Sequence, residues 1–319
     1  MLDVYIDFTT PMWLVHYYYG IGTLNLVLNS YTLFLIIFKS AKIDSVKYFI
    51  FAFQCSCLSV DFHLTFLMQP QPLHPLPAGF ITGIASDIIS VHIMMTSVMM
   101  LIFLQFQTIF LCFLKKLVVF RNLKRLETNK YVLVSAAAIF LFMGFCIVLL
   151  FYNAGLNKEE MFVLIREQYP SYEKLFSSLS NLAIYRADIF WYGSLVGTFV
   201  AFIYCGTFFI YATYSMFTTL NELSKTVSNH NLKKQKTALV SLVVQLLTLA
   251  TALFPVGFLV FLLVIEYKYA QWGTRLELML YCFHSTANAV VVVVTIPSFR
   301  KFTFFWLNKK HSPIVVSVQ

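Results

Sequence analysis

The sequence predicts an all-α membrane protein, a bundle of seven transmembrane helices. Hydrophobic residues make up 59% of the chain and charged residues only 12%, whereas a soluble domain carries roughly 25% charged residues. The apolar residues are gathered in blocks of about twenty or more, the length needed to cross a hydrocarbon core of about 30 Å. Lys and Arg lie in the connections between these blocks. This arrangement excludes an ordinary soluble globule.

Seven blocks are long enough to span a bilayer, and together they contain no Lys, no Arg and one carboxylate, Asp61. This near absence of charged residues is expected for spans, because a charged side chain is costly in hydrocarbon. The predicted spans are residues 14–38, 48–68, 88–114, 131–152, 189–214, 238–265 and 278–296. Asp3 and Asp7 precede the first span without a basic residue, which indicates an uncleaved signal anchor.

The basic residues predict the orientation of the bundle. Seventeen of the 23 Lys and Arg residues fall on one side of the predicted spans and six on the other. Since cytoplasmic loops carry the excess of Lys and Arg, the N-terminus is expected outside and the C-terminus in the cytoplasm. This is the topology of G-protein-coupled receptors. Residues 297–319 form a cytoplasmic tail, in which aromatic and basic residues favour an interfacial helix.

Motifs for catalysis are missing. The sequence contains no H-E-x-x-H, no G-x-x-x-x-G-K and no G-x-S-x-G, so we expect neither an enzyme nor a bound cofactor. The net charge of +9 is scattered over short connections, which favours orientation in a bilayer over nucleic-acid binding. All six cysteines fall inside or at the ends of spans, so no external disulfide is expected.

Prolines mark two segments. Pro70, Pro72, Pro75 and Pro77 follow the second span, where they forbid helix and favour a stiff, extended rim. Pro255 predicts a kink in the sixth span, either a static one or one about which the helix swings.

These prolines also belong to a recognisable pattern. Residues 64–70 (LTFLMQP), 72–75 (PLHP) and 78–83 (AGFITG), with residues 16–22 and 297–300, resemble the nematode serpentine receptor class I family. That family is part of the Str superfamily of chemoreceptors, and class H relatives share much of the pattern. The resemblance covers nearly the whole chain. It implies a chemosensory G-protein-coupled receptor of the plasma membrane of sensory cilia, which binds a small molecule and signals to a heterotrimeric G protein.

Polar groups inside the spans are candidates for a ligand site, because they are costly in hydrocarbon and tend to face a cavity. At about 1.5 Å per residue, Asp61, His92 and His284 lie roughly 7–10 Å below the outer ends of their spans, in one layer. Glu277, Tyr281, His284 and Asn288 follow one face of the seventh helix, which predicts an inward polar stripe.

The hypothesis is a small-molecule cavity that opens outward. Its predicted lining is Asp61, Ser90, His92, Tyr281 and His284, with Trp191 and Tyr192 near the top of the fifth span. The alternative is that these groups are hydrogen-bond partners between helices. The second outer loop carries four basic and five acidic residues, a balance that favours a neutral or weakly polar ligand.

The basic cytoplasmic surface is the candidate for G-protein coupling. Its predicted residues are Lys115, Lys116, Lys233, Lys234, Lys236 and Arg300. Anionic lipid of the inner leaflet would explain the same charges.

Other membrane functions stay open at this point. A transporter would show internal repeats with paired broken helices, which we do not find. A ligand-gated seven-helix channel would place the N-terminus inside, against the distribution of basic residues. A structural subunit without a ligand would have the same sequence pattern as a receptor.

Overall fold

The structure, a computed structural model, describes residues 6–39, 46–124, 129–223, 236–237, 239–250 and 270–305. Six helices in these residues are long and apolar enough to cross a membrane. They are α1 (Met12–Phe38), α2 (Val46–Phe62) together with the π-helical turn that continues it to Met68, α3 (Val91–Leu123), α4 (Lys130–Asn153), α7 (Ile189–Leu223) and α9 (Ala270–Thr295). A shorter apolar helix, α8 (Leu239–Ala250), occupies the described part of the sixth predicted span.

Short helices complete the chain. Between α4 and α7 lie α5 (Lys158–Gln168), a 3₁₀ turn (Pro170–Tyr172) and α6 (Glu173–Ser177), and α10 (Pro297–Thr303) follows α9. Several long helices extend past the predicted spans. Thus α3 starts after its cap, Ser90, and runs nine residues beyond residue 114, to Leu123. The kink predicted at Pro255 lies outside the described residues.

The long helices form a bundle in which α1 contacts α2 and α9, α2 contacts α3, and α3 contacts α4 and α7. Aromatic packing fixes the junction of α3, α4 and α7. The ring of Phe110 lies 4.0 Å from that of Phe208 and 5.2 Å from that of Phe140, centroid to centroid. At one end, α10 buries Phe299 against α1 and α9.

A small antiparallel sheet closes the other end, which we call the sheet end. Its strands are β1 (Pro70–Pro72), β2 (Ala78–Ile81) and β3 (Leu182–Ile184), in the order β1-β2-β3. Two of the three residues of β1 are prolines without an N–H donor, which is tolerated because β1 is an edge strand. The segment that was expected to be an extended rim is therefore one edge of a sheet.

Between α2 and β1 the helix widens into one π-helical turn, His63–Met68, and ends at Gln69 in the left-handed region with φ 46°. The chain that follows β2 then runs along this turn. The backbone N–H groups of Gly83, Ile84 and Ala85 donate to carbonyls of residues 66–68 at 2.9–3.0 Å. The carbonyls at the helix end are thereby satisfied.

A second apolar core lies on the sheet, apart from the core of the bundle. It packs residues of the N-terminal segment, of the β1–β2 hairpin and of α5 and α6 together. Its buried members are Ile6, Leu73, Leu76, Ala78, Phe80, Leu164, Ile165, Phe176 and Ile184. We call the sheet with α5 and α6 the cap. Each of the six cysteines is a free thiol, so the cap is joined to the bundle by packing and hydrogen bonds.

Replacing Gly83 by Ala should loosen the cap. An added Cβ would collide with the backbone carbonyl of Leu67 and lie 2.7 Å from the amide nitrogen of Met68. Backbone cannot yield as a flexible side chain does, so we expect a loss of about 1–3 kcal/mol in the free energy of unfolding. The measurement is the thermal unfolding midpoint of the purified protein.

The matched control is Gly20→Ala in α1, where no atom lies within 4 Å of the added Cβ. Ala is the better helix former there, so this midpoint should stay or rise. Equal midpoints for the two variants would show that the chain does not pack tightly at Gly83.

Candidate functional site

The bundle contains a partly open cavity of about 390 Å³ beneath the cap. It lies between α3, α7 and α9, with β1, β2 and their connecting turn at the sheet end. Most of its lining is aliphatic, aromatic or methionine side chains, among them Met95, Met99, Ile102, Phe103, Phe106 and Phe202. The volume and the apolar lining are those of small-molecule sites, which measure about 300–1,000 Å³.

Two of the residues predicted for the ligand site, Trp191 and Tyr281, line this cavity. Trp191 stacks on Tyr185, with ring centroids 4.8 Å apart and planes at 16°. Tyr281 presents its ring to the cavity, and its hydroxyl donates to Oε1 of Gln105 at 3.0 Å. Tyr192 lies on the opposite face of α7 and is 56% exposed, as a lipid-facing residue is.

Asp61 and His284 do not line the cavity; they belong to a network of buried polar groups next to it. Its members come from α1, α2, α3 and α9, and we call them the polar core. They are Asn29, Gln54, Asp61, Gln105, Tyr281, His284, Ser285 and Asn288, all buried. The predicted inward stripe of Glu277, Tyr281, His284 and Asn288 is confirmed, since all four are buried.

Gln105 of α3 joins two other helices in the polar core. Its Nε2 donates to Sγ of Cys57 at 3.1 Å and to Nε2 of His284 at 3.0 Å. His284 can accept there because its Nδ1 donates to the carbonyl of Tyr281, which fixes the neutral tautomer. With Tyr281 on its Oε1, every group of the Gln105 amide is satisfied.

Asn29 of α1 holds the other half of the polar core. Its Nδ2 donates to Oδ2 of Asp61 at 3.2 Å and to Oγ of Ser285 at 2.9 Å, and its Oδ1 accepts from Gln54. Gln54 in turn accepts from Nδ2 of Asn288 at 3.1 Å. The layer predicted for Asp61 and His284 is therefore an interhelical hydrogen-bond network in this structure.

His92 and Ser90 lie at the sheet end, beside a second depression of about 730 Å³. His92 donates from Nε2 to the carbonyl of Tyr152 at 3.0 Å, and its Nδ1 accepts from the hydroxyl of Tyr185 at 3.3 Å. A Cβ on Gly155 would collide with the imidazole. His92 thus pins α3 to the segments on either side of α5 and α6, and it shares no layer with Asp61 and His284.

The N-terminal segment is tied to the top of α9 by three polar residues. Nη1 and Nη2 of Arg275 each lie 3.3 Å from Oδ2 of Asp7, and Gln271 bonds both the N–H and the carbonyl of Asp7. Gln271 also donates to the carbonyl of Pro72 at 3.0 Å. Although burial opposes it, hydrogen bonds from Thr9 and Arg275 lower the pKa of Asp7. Asp7 therefore stays charged at neutral pH.

The residues predicted for coupling lie toward the opposite end. Lys236 and Arg300 are exposed, Lys115 is half-buried, and Lys116 is 4% exposed within α3. Lys233 and Lys234 lie outside the described residues. At the same end as Lys115 and Lys116, Lys124 of α3 forms an ion pair with Glu222 of α7.

Comparison with known proteins identifies the family. The model of the serpentine type 7TM GPCR chemoreceptor family Sri matches residues 4–303. The chain belongs to this family. Its placement as class I with class H as close relative, within the Str superfamily, stays a prediction. None of the curated proteins matches the chain in sequence.

The fold of this Sri family member is that of a seven-transmembrane receptor. It is similar to the crystal structure of squid rhodopsin, with a TM-score of 0.61 and 13% identity, over 94% of this chain and 86% of that chain. At this identity the likeness shows the fold alone. The predicted seven-helix, GPCR-like bundle is confirmed, as is a membrane protein of a receptor family.

Sequence reasoning missed several polar residues of these sites, among them Gln54, Gln105, Gln71 and His74. Gln54 is the single glutamine of its predicted span and Gln105 lies two residues before Gln107 in another, and neither position belongs to a periodic polar face. Gln71 and His74 lie among the four prolines and line the cavity. A signal was present at Gln71 alone, since a polar residue between two prolines of a rim has few backbone partners.

Replacing Tyr281 by Phe should destabilise the receptor. The change removes the donor to Oε1 of Gln105 and leaves that buried oxygen unpaired, at a cost of about 1–3 kcal/mol. Tyr214→Phe is the control, because Tyr214 is 72% exposed on α7. The thermal unfolding midpoints of both variants measure the difference, and a Tyr281→Phe midpoint as high as that of the control would contradict the assignment.

Proposed function

We propose that this protein is a chemosensory G-protein-coupled receptor whose ligand, a small odorant, tastant or pheromone, binds in the cavity beneath the cap. The observation that carries the proposal is that Tyr281 belongs both to this cavity and to the polar core. A ligand that moves the Tyr281 ring also moves a hydrogen bond that holds α3 to α9. Membership in a chemoreceptor family supports the same function.

The proposed orientation places the sheet end outside the cell and α10 in the cytoplasm. The seventeen basic residues in the connections that the sequence assigns to the cytoplasmic side support it, through the positive-inside rule. The receptor would then sit in the plasma membrane, in sensory cilia, with its cavity facing the medium that carries the ligand.

Among the predicted ligand residues, we propose that Trp191 and Tyr281 contact the ligand. Asp61 and His284 would act through the polar core, and His92 and Ser90 through the position of the cap. Binding then shifts the population from a resting to an active arrangement, which requires a ligand that prefers the active one.

A larger side chain inside the cavity tests the site. Ala201 of α7 lines the cavity and is 2% exposed, so Ala201→Phe should fill part of it and weaken ligand binding. Ligands would come from a panel of volatile and small soluble molecules, and the measurement is ligand-stimulated nucleotide exchange on a reconstituted G protein. We expect at least a tenfold rise in the half-maximal concentration, or about 1.4 kcal/mol.

The control is Val200→Phe, because Val200 is the neighbouring residue and is 49% exposed on the outer face of α7. An unchanged response of Ala201→Phe would contradict binding in this cavity. A ligand-evoked current in membranes without G protein would favour a channel instead.

Charge reversal tests the proposed coupling surface. Lys236 and Arg300 are exposed, so the double variant Lys236→Glu, Arg300→Glu should lower nucleotide exchange several-fold while ligand binding stays unchanged. The control is Lys158→Glu, an exposed lysine at the sheet end. Normal exchange in the double variant would leave lipid attraction as the role of these charges.

A further inference from the structure

Among the residues that the structure describes, three polar side chains at the cavity have atoms without a hydrogen-bond partner. They are Oε2 of Glu277, Nδ1 of His74, and both Oε1 and Nε2 of Gln71. All three residues line the cavity: Gln71 on β1, His74 in the turn after it, and Glu277 on α9. Because an unpaired buried polar group costs free energy, such a set marks a place where a ligand supplies the missing partners.

Glu277 decides the charge of that ligand. It is 7% exposed, and none of the three ion pairs within the described residues includes it. The guanidinium of Arg275, two residues earlier on α9, is engaged by Asp7 at the N-terminal segment. A carboxylate in an apolar cavity is costly unless a cation accompanies it. A ligand with its own positive charge would meet this need.

We propose that the cavity binds an organic amine, with its ammonium group at Glu277, Gln71 and His74 and its apolar body against the rest of the lining. This deepens the proposed function and rests on it, since it names the class of ligand for the same cavity.

The hydrogen-bonding groups match an ammonium. An ammonium has three N–H donors and no acceptor. The cavity offers three acceptors, Oε2 of Glu277, Oε1 of Gln71 and Nδ1 of His74, the last in the tautomer that carries its proton on Nε2. Burial lowers the pKa of His74 to about 4, so the imidazole is neutral at pH 7 and does not repel a cation. The Gln71 N–H₂ group is left for an ordered water or a second polar atom.

The remaining lining selects the apolar body. Trp191, Tyr281 and Phe103 present aromatic surfaces, and Met95, Met99 and Ile102 add flexible or aliphatic ones. Aromatic faces also attract a nearby cation. A carboxylic acid would bring a second negative charge to Glu277. An alcohol would leave the carboxylate without a counter-ion, so the neutral ligand favoured by the loop charges fits this cavity less well.

A homologous series of probes tests the proposal on the full-length receptor in lipid nanodiscs. The probes are n-octylamine, n-octanol and octanoic acid, which share one chain and differ in the head group. The measurement is the shift of the thermal unfolding midpoint with probe concentration, which reports binding to the folded state. We expect the amine to bind at least about tenfold more tightly than the alcohol, and the acid not to bind.

Glu277→Gln should remove the preference for the amine over n-octanol, because the amide keeps the shape of the side chain and loses its charge. Glu159→Gln is the matched control, an exposed carboxylate at the same end of the protein, and should retain the preference. Since the comparison of probes on the unaltered receptor needs no variant, a Glu277→Gln protein that fails to fold does not prevent the test.

Three outcomes would overturn the amine proposal: equal or tighter binding of the alcohol, no binding of the amine, or an amine preference that survives in Glu277→Gln. Nucleotide exchange on a G protein separates this from the proposed function. Amine binding without exchange would refute signalling and keep the ligand class, whereas exchange driven only by neutral molecules would do the reverse.

Discussion

The hydrogen bonds of Gln105 are the interaction on which the interior of the bundle depends. Hydrocarbon offers no water to a buried amide, so its donors and acceptor must find partners on neighbouring helices. Gln105 finds them on Cys57 of α2 and on Tyr281 and His284 of α9. Each bond fixes both the rotation and the height of a helix. The position of the Tyr281 ring, and with it the inner wall of the cavity, follows from this one side chain.

The cap depends on a different constraint, the need to end α2 without leaving carbonyls unpaired. The π turn and the left-handed Gln69 turn the chain into β1, and the residues after β2 return to satisfy the carbonyls of that turn. The cap therefore cannot shift as a whole without breaking the end of α2. Gln71 and His74 belong to the cap and Glu277 belongs to α9, so the cavity is lined by both the cap and the bundle. A ligand in the cavity therefore contacts two parts of the protein that are held in place by different interactions.

The spans were predictable because a segment in hydrocarbon must be composed of apolar residues. The inward polar stripe was predictable because residues three and four apart lie on one face of an α-helix. The strands were not predictable, since the sequence of β1 is Pro-Gln-Pro and this segment is a strand only because it pairs with β2. Depth arithmetic joined Asp61 and His284 correctly to one region but added His92, because it counted the third span from residue 88, whereas α3 begins at Val91 and His92 lies at its end. His92 faces Tyr152 and Tyr185, and no rule of sequence spacing connects residue 92 with residues 152 and 185.

The magnitudes limit how a ligand could switch this bundle. Moving a population from 1:99 to 99:1 requires about 5.5 kcal/mol of differential affinity. The bond between Tyr281 and Gln105 contributes about 0.5–1.5 kcal/mol net, so displacing it cannot supply that amount. A charge pair formed at Glu277 has the larger range, about 2–5 kcal/mol when one partner is removed. The greater part of any switch must therefore come from contacts at the sheet end, with Tyr281 transmitting the change to the polar core rather than providing its energy.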